Sequence, residues 1–122
     1  MSKVAMMVDD MFFASKIRGA AASTGCEVVS IKSVEQLETD PPSMVLLDLH
    51  SQKFDAVSII EFIKSKPELK EIPVVAFLSH VQVDVKRRAE EAGCDYVIPR
   101  SLFTERLPQI VSGDLSSLKA KR

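Results

Sequence analysis

The chain reads as a doubly wound α/β domain, a five-stranded parallel sheet with helices on both faces. Three observations predict this. Strand-like and helix-like patterns alternate five times along 122 residues, as in βα units joined by short links. The run Met44-Val45-Leu46-Leu47 is apolar at successive positions, which suits a strand covered on both sides. Two strand-like runs end on acids: Val4 to Val8 on Asp9-Asp10, and Met44 to Leu47 on Asp48. Ligands of open parallel sheets bind just beyond the carboxyl ends of strands.

The elements follow in order. Residues 3–8 form the first strand. From Met11 to about Thr24, Phe13, Ile17, Ala20, Ala21 and Thr24 fall on one face of a 3.6-residue period, predicting a helix that Gly25 ends. Glu27 to Ile31 is the second strand. Ser33, with Gln36 three positions on, has capping-box spacing and opens a short helix that Asp40-Pro41-Pro42 stops. Residues 44–49 are the third strand. The third helix, about Asp55 to Lys66, aligns Ala56, Ile59, Ile60 and Ile63. Pro73 opens the fourth strand, Val74 to Leu78. The fourth helix, about Val83 to Ala92, aligns Val85, Ala89 and Ala92 and ends at Gly93. Tyr96 to Pro99 is the fifth strand. A last helix, about 102–111, aligns Phe103, Leu107, Ile110 and Val111, with Pro108 kinking it or shifting its start. Residues 1–112 are read as the domain, and 113–122 as a polar, loose tail.

Bulk properties exclude several classes. Net charge is −1, with 16 basic and 17 acidic residues. That balance gives no electrostatic footprint for nucleic acid, and Lys119-Ala120-Lys121-Arg122 reads as a solvated end. No apolar run reaches the length of a membrane span, and no signal-peptide core precedes Asp9 and Asp10. Cys26 and Cys94 fit neither a redox nor a zinc motif and read as reduced core thiols, consistent with the cytoplasm. Nucleophile-elbow, dinucleotide and P-loop signatures are absent.

The strand order 2-1-3-4-5, the flavodoxin-like arrangement, makes strands 1 and 3 neighbours at the switch point. Asp9, Asp10 and Asp48 then form one acidic pocket, suited to a hard divalent cation with one carboxylate left as a nucleophile. Asp9 and Asp10 also suit a plainer role, capping the helix that follows.

On Val8-Asp9-Asp10, Leu46-Leu47-Asp48, Pro73-Val74-Val75-Ala76, Ala92-Gly93-Cys94-Asp95 and Arg100, the chain resembles the receiver domains of bacterial response regulators, the CheY-like family. The resemblance covers about residues 3–112, and the interval from Asp48 to Arg100 matches the family's interval from acceptor aspartate to lysine without a gap. It implies Asp48 as acceptor of a phosphoryl group from a histidine kinase or phosphotransfer protein. Mg²⁺ would be held by Asp9, Asp10, Asp48 and the backbone carbonyl of His50. A cation there would offset repulsion between the carboxylate and the phosphoryl oxygens. The face around helix 4, strand 5 and helix 5 (Val81 to Ala92, Val97, Leu102 to Val111) would meet a downstream protein.

Four positions depart from the family pattern. Arg100 replaces its lysine, and a planar guanidinium is not a point charge. Leu78 stands where a Thr or Ser hydroxyl would bond the phosphoryl group; Ser79 is a candidate donor only if a bulge turns it inward. Val97 takes the aromatic switch position, with Tyr96 facing the other way. Ser51-Gln52-Lys53-Phe54-Asp55-Ala56 lacks the family's Pro and Gly, though Asp55 remains as a helix cap.

The leading reading is a stand-alone, atypical response regulator in a two-component phosphorelay. It would not be an enzyme beyond self-phosphorylation and slow autodephosphorylation at Asp48. Leu78 and Val97 favour an alternative, a phosphorylation-independent interaction module of the same fold. A third, lesser reading is a Mg²⁺-dependent phosphatase or hydrolase with Asp48 as nucleophile. His50 and His80 read as solvated loop histidines, and Met11 and Phe12 as core or rim rather than a partner patch.

Overall fold

The computed structural model describes residues 3–79 and 83–118. Five strands, β1 (Lys3–Met7), β2 (Glu27–Ser30), β3 (Met44–Asp48), β4 (Val74–Leu78) and β5 (Tyr96–Pro99), form one sheet in the order β2-β1-β3-β4-β5. Every pairing is parallel. Both the predicted class and the predicted order are observed.

Helices α1 (Met11–Thr24), α2 (Glu35–Thr39), α3 (Ala56–Ser65), α4 (Val83–Glu91), α5 (Arg100–Glu105) and α6 (Leu107–Val111) cover the two faces. Because successive strand residues point to opposite faces, the sheet divides the core in two. Val4, Met6, Leu46, Val75, Phe77 and Ile98 pack with Phe13 and Ile17 of α1 and with Phe103, Leu107 and Ile110 of α5 and α6. On the other face Ala5, Met7, Leu47, Ala76, Leu78 and Val97 pack with Leu37 of α2, Ile59, Ile60 and Ile63 of α3, and Ala89 of α4. The third-helix face is buried as predicted. On α1 the burial shifts slightly: Ala14 is in and Thr24 is exposed.

Local chemistry sets the ends. Gly25 adopts a left-handed φ of 76° and donates its amide to Ala21 and Ala22 carbonyls, closing α1. Asp55 caps α3, its carboxylate accepting from the Ser58 amide and hydroxyl at 3.3 and 2.9 Å. Only half of the predicted capping box forms. The Gln36 amide oxygen reaches back to the amides of Lys32 (2.7 Å) and Ser33 (3.2 Å), while the Ser33 side chain makes no cap and Val34 opens α2.

Two expectations need correction. The single helix over 102–111 is two, broken at Arg106 with Pro108 in the first turn of α6. Proline has no N–H for the Thr104 carbonyl and its ring would collide with it, so the helix restarts where proline is tolerated. The tail read as polar is not polar throughout its contacts, because Leu118 is buried and Leu115 half-buried against the α1–α6 side of the core while residues 113, 114, 116 and 117 are exposed. Residues 119–122, with the basic end, lie outside the described residues. No described helix is long and apolar enough to cross a membrane.

Candidate functional site

β1 and β3 are neighbours in register, Met7 opposite Leu47. Asp9, Asp10 and Asp48 therefore leave the sheet at one edge, as the topology predicted. Asp48 is only 8% exposed and is the one buried charged side chain among the described residues. Its Oδ1 accepts the amide of His50 at 2.9 Å. The buried strand β3 fixes its position, since all five of its residues are buried.

Asp10 is held from three sides. Its Oδ1 accepts the amides of Phe12 (2.9 Å) and Phe13 (3.2 Å), capping α1, so the plainer reading of this acid is realised. Its Oδ2 takes the Arg100 guanidinium at 3.0 Å. That hydrogen bond to Arg100, then the Phe13 amide, hold the Asp10 carboxyl below the usual carboxylate range. The guanidinium also lies over the Phe13 ring, 4.0 Å from its centroid, a cation–π contact available to its planar face. Behind Phe13 stand Phe77 and Phe103, with ring centroids 5.0 and 5.6 Å away. Arg100 is thus fixed by an acid in front and an aromatic cluster beneath.

Asp9 turns to the loop after β3. The Ser51 hydroxyl lies 2.9 Å from both carboxylate oxygens, and the Gln52 amide donates to Oδ2 at 2.9 Å. The Lys53 amide in turn donates to the Ser51 oxygen at 3.0 Å. Sequence reasoning passed over Ser51 and Gln52 as loop residues. Their signal was position: polar groups three and four residues after a strand-end acid, on the edge where a neighbouring strand also ends in acids.

The oxygen-rich donor set is the right chemistry for Mg²⁺, but the geometry does not fit a bound ion. Both Asp10 oxygens are engaged, Asp9 is held by the loop, and Asp48 leans on the His50 amide. Among the described residues, no three His, Cys, Asp or Glu side chains gather closely enough to hold a metal ion. The expected convergence of Asp9, Asp10, Asp48 and the His50 carbonyl on one cation is absent from this arrangement.

The relay positions are equally clear. Leu78 is buried among the α3–α4 side of the core. β4 pairs with β5 without interruption through Leu78 opposite Pro99, so β4 has no bulge to turn Ser79 inward. Ser79 is exposed, and the condition for its acting as donor is not met. Val97 is buried opposite Ala76, on the same face of the sheet as Leu78, while Tyr96 packs on the opposite face. Met11 and Phe12, expected at core or rim, are 83% and 89% exposed. His80 and Val81 lie outside the described residues.

Comparison with known proteins places its likeness among response regulators. The chain is 23% identical over 120 residues to the polar-differentiation response regulator DivK of Brucella abortus, covering 94% of this chain and 98% of that one. It superposes on the phosphorylated cyanobacterial phytochrome response regulator RcpA with a TM-score of 0.76 and 25% identity, over 99% of both chains. In sequence and in fold the chain is similar to response-regulator receiver domains. No family model matches it. A Mn²⁺-bound form of the response regulator Rcp1 shares the receiver fold at TM-score 0.79 and 19% identity, over 100% of both chains, so a divalent metal occurs in a protein of this architecture. The similarity supports a signalling role of the two-component type.

Proposed function

We propose that this receiver domain works in two-component signalling as an interaction module whose active surface does not depend on phosphorylation of Asp48. The observation that supports this most is at the end of β4. Leu78 is buried where a hydroxyl would read a phosphoryl group, and Ser79 stays exposed outside an unbulged strand. Without a donor there, and with the aliphatic Val97 buried in the same core, charge added at Asp48 has no side chain to pull and no aromatic ring to move. The domain would meet its partner in one standing conformation, through the face of α4, β5, α5 and α6. Its upstream contact would be a histidine kinase or phosphotransfer protein. The unit includes Leu115 and Leu118, which complete the core.

One observation favours the second reading, in which Asp48 is a true acceptor. A carboxylate buried to this degree costs several kcal/mol unless compensated, and a pure docking module has no need of it. Intact mass of the wild type and of Asp48→Asn, after incubation with Mg²⁺ and acetyl phosphate, separates the two. The expected result is no added phosphoryl mass on either protein. A gain on the wild type alone overturns the proposal and installs the acceptor reading. Turnover of a generic phosphate ester would instead point to the hydrolase reading.

A further inference from the structure

We infer that Arg100 is the resident counter-ion of the acidic pocket, standing where a divalent cation would sit beside Asp10 and keeping such ions out. The inference concerns metal exclusion and rests on the misfit between the pocket and Mg²⁺, not on whether Asp48 is phosphorylated.

Three features carry it. First, the contact is specific: the guanidinium bonds the Asp10 oxygen left over after the two helix-capping amides, at 3.0 Å. A cation ligated by Asp10 would need that same oxygen. Second, the guanidinium is held in place. It lies on the Phe13 ring, 4.0 Å from its centroid, and that ring packs against Phe77 and Phe103 at 5.0 and 5.6 Å. An ammonium on a flexible stem would lack this planar seat. Third, the charge balance is right for a local counter-ion. Asp9, Asp10 and Asp48 all lie at the carboxyl ends of neighbouring strands, and Arg100 bonds Asp10 while Ser51 and Gln52 donate to Asp9. A divalent ion entering here would meet a fixed positive charge and would have to displace it.

The test is Mn²⁺ binding to the full chain at neutral pH, read as loss of the free-ion signal in electron paramagnetic resonance. The proteins are the wild type, Arg100→Met, Arg100→Gln and the double variant Arg100→Met/Asp10→Asn. Methionine keeps an apolar stem over Phe13, and glutamine covers the case in which methionine does not fold. Removing the guanidinium should tighten Mn²⁺ binding by about tenfold or more, the scale of one close like charge. Adding Asp10→Asn should abolish the gain. The inference fails if the wild type binds Mn²⁺ as tightly as the single variants. It fails equally if a folded single variant gains nothing, or if the gain survives loss of Asp10. The phosphoryl-mass experiment has a separate readout, so failure of one proposal is not failure of the other.

Discussion

At the amino-terminal edge of the sheet, the Lys64 ammonium donates to Asp95 at 2.8 Å and to the carbonyls of Lys70 and Ile72 at 3.0 Å each. Asp95 also accepts the amide of Val74 at 2.8 Å. At the carboxyl edge, Arg100 bonds Asp10, while Asp9 accepts from Ser51 and Gln52 and Asp48 from the His50 amide. The first pair uses all three of the ammonium's hydrogens and stitches the start of β4 to the start of β5. The second leaves negative charge in excess at a strand-end crevice. A saturated ion pair spends its interactions on holding the fold; an unsaturated one marks the edge where a ligand or partner acts.

If that contrast is right, the amino-terminal edge is the fragile one. Lys64 is 17% exposed and Asp95 38%, so removing the ammonium strands a partly buried carboxylate and two carbonyls. Lys64→Met should lower stability by about 2–3 kcal/mol, read from urea unfolding. A loss below about 0.5 kcal/mol would reduce the clamp to an ordinary surface pair. Gly93 belongs to the same edge. Its φ is 104°, and an added Cβ would lie 3.1 Å from Lys64 Cγ. Gly93→Ala should cost about 1–3 kcal/mol through backbone strain and a displaced Lys64 stem. The loss should shrink in the Lys64→Met background if the clamp is what it disturbs.

The carboxyl edge should respond with the opposite sign. Asp48 is buried, with the His50 amide at 2.9 Å. Asp48→Asn removes the buried charge while keeping an acceptor for that amide. It should raise stability by about 1 kcal/mol in the same urea experiment, as expected where a fold retains a strained site. A loss of that size would mean that Asp48 is a structural group, and the two edges would then not differ in kind.

The sequence shows this contrast unevenly. Strand order was legible, and with it the placing of Asp9, Asp10 and Asp48 at the carboxyl ends of two neighbouring strands, because both follow from periodicity and from the parallel βα rule. Which acid Arg100 would take was not. Asp10 and Asp48 are both within the pocket's reach in any such topology, and the choice depends on side-chain rotamers and on the Phe13 ring beneath the guanidinium. The Lys64–Asp95 clamp was invisible for the same reason: a lysine near a helix end and an acid after a glycine have no spacing rule to join them. Leu115 and Leu118 escaped notice because single leucines among polar residues carry no period, although Leu118 is buried.

The smallest effect should come from the Arg100–Asp10 pair itself, and pH exposes it. Asparagine caps a helix about as well as aspartate, so Asp10→Asn keeps the bonds to Phe12 and Phe13 and loses mainly the attraction to Arg100. In the folded protein Arg100 and the two amides hold the Asp10 carboxyl below the usual carboxylate range. A depressed folded value means that the ionised group stabilises the fold above the unfolded value, and that this stabilisation is lost as pH falls through the folded one. The wild type should therefore exceed Asp10→Asn in stability at neutral pH by a small margin, reduced by salt because the pair is partly exposed. That margin should close as the solution is acidified through the carboxylate range. A margin that stays constant with pH would mean that the cap, not the guanidinium, is what Asp10 contributes. Arg100 would then be held by Phe13 alone, and the carboxyl edge would carry three acids with no counter-ion.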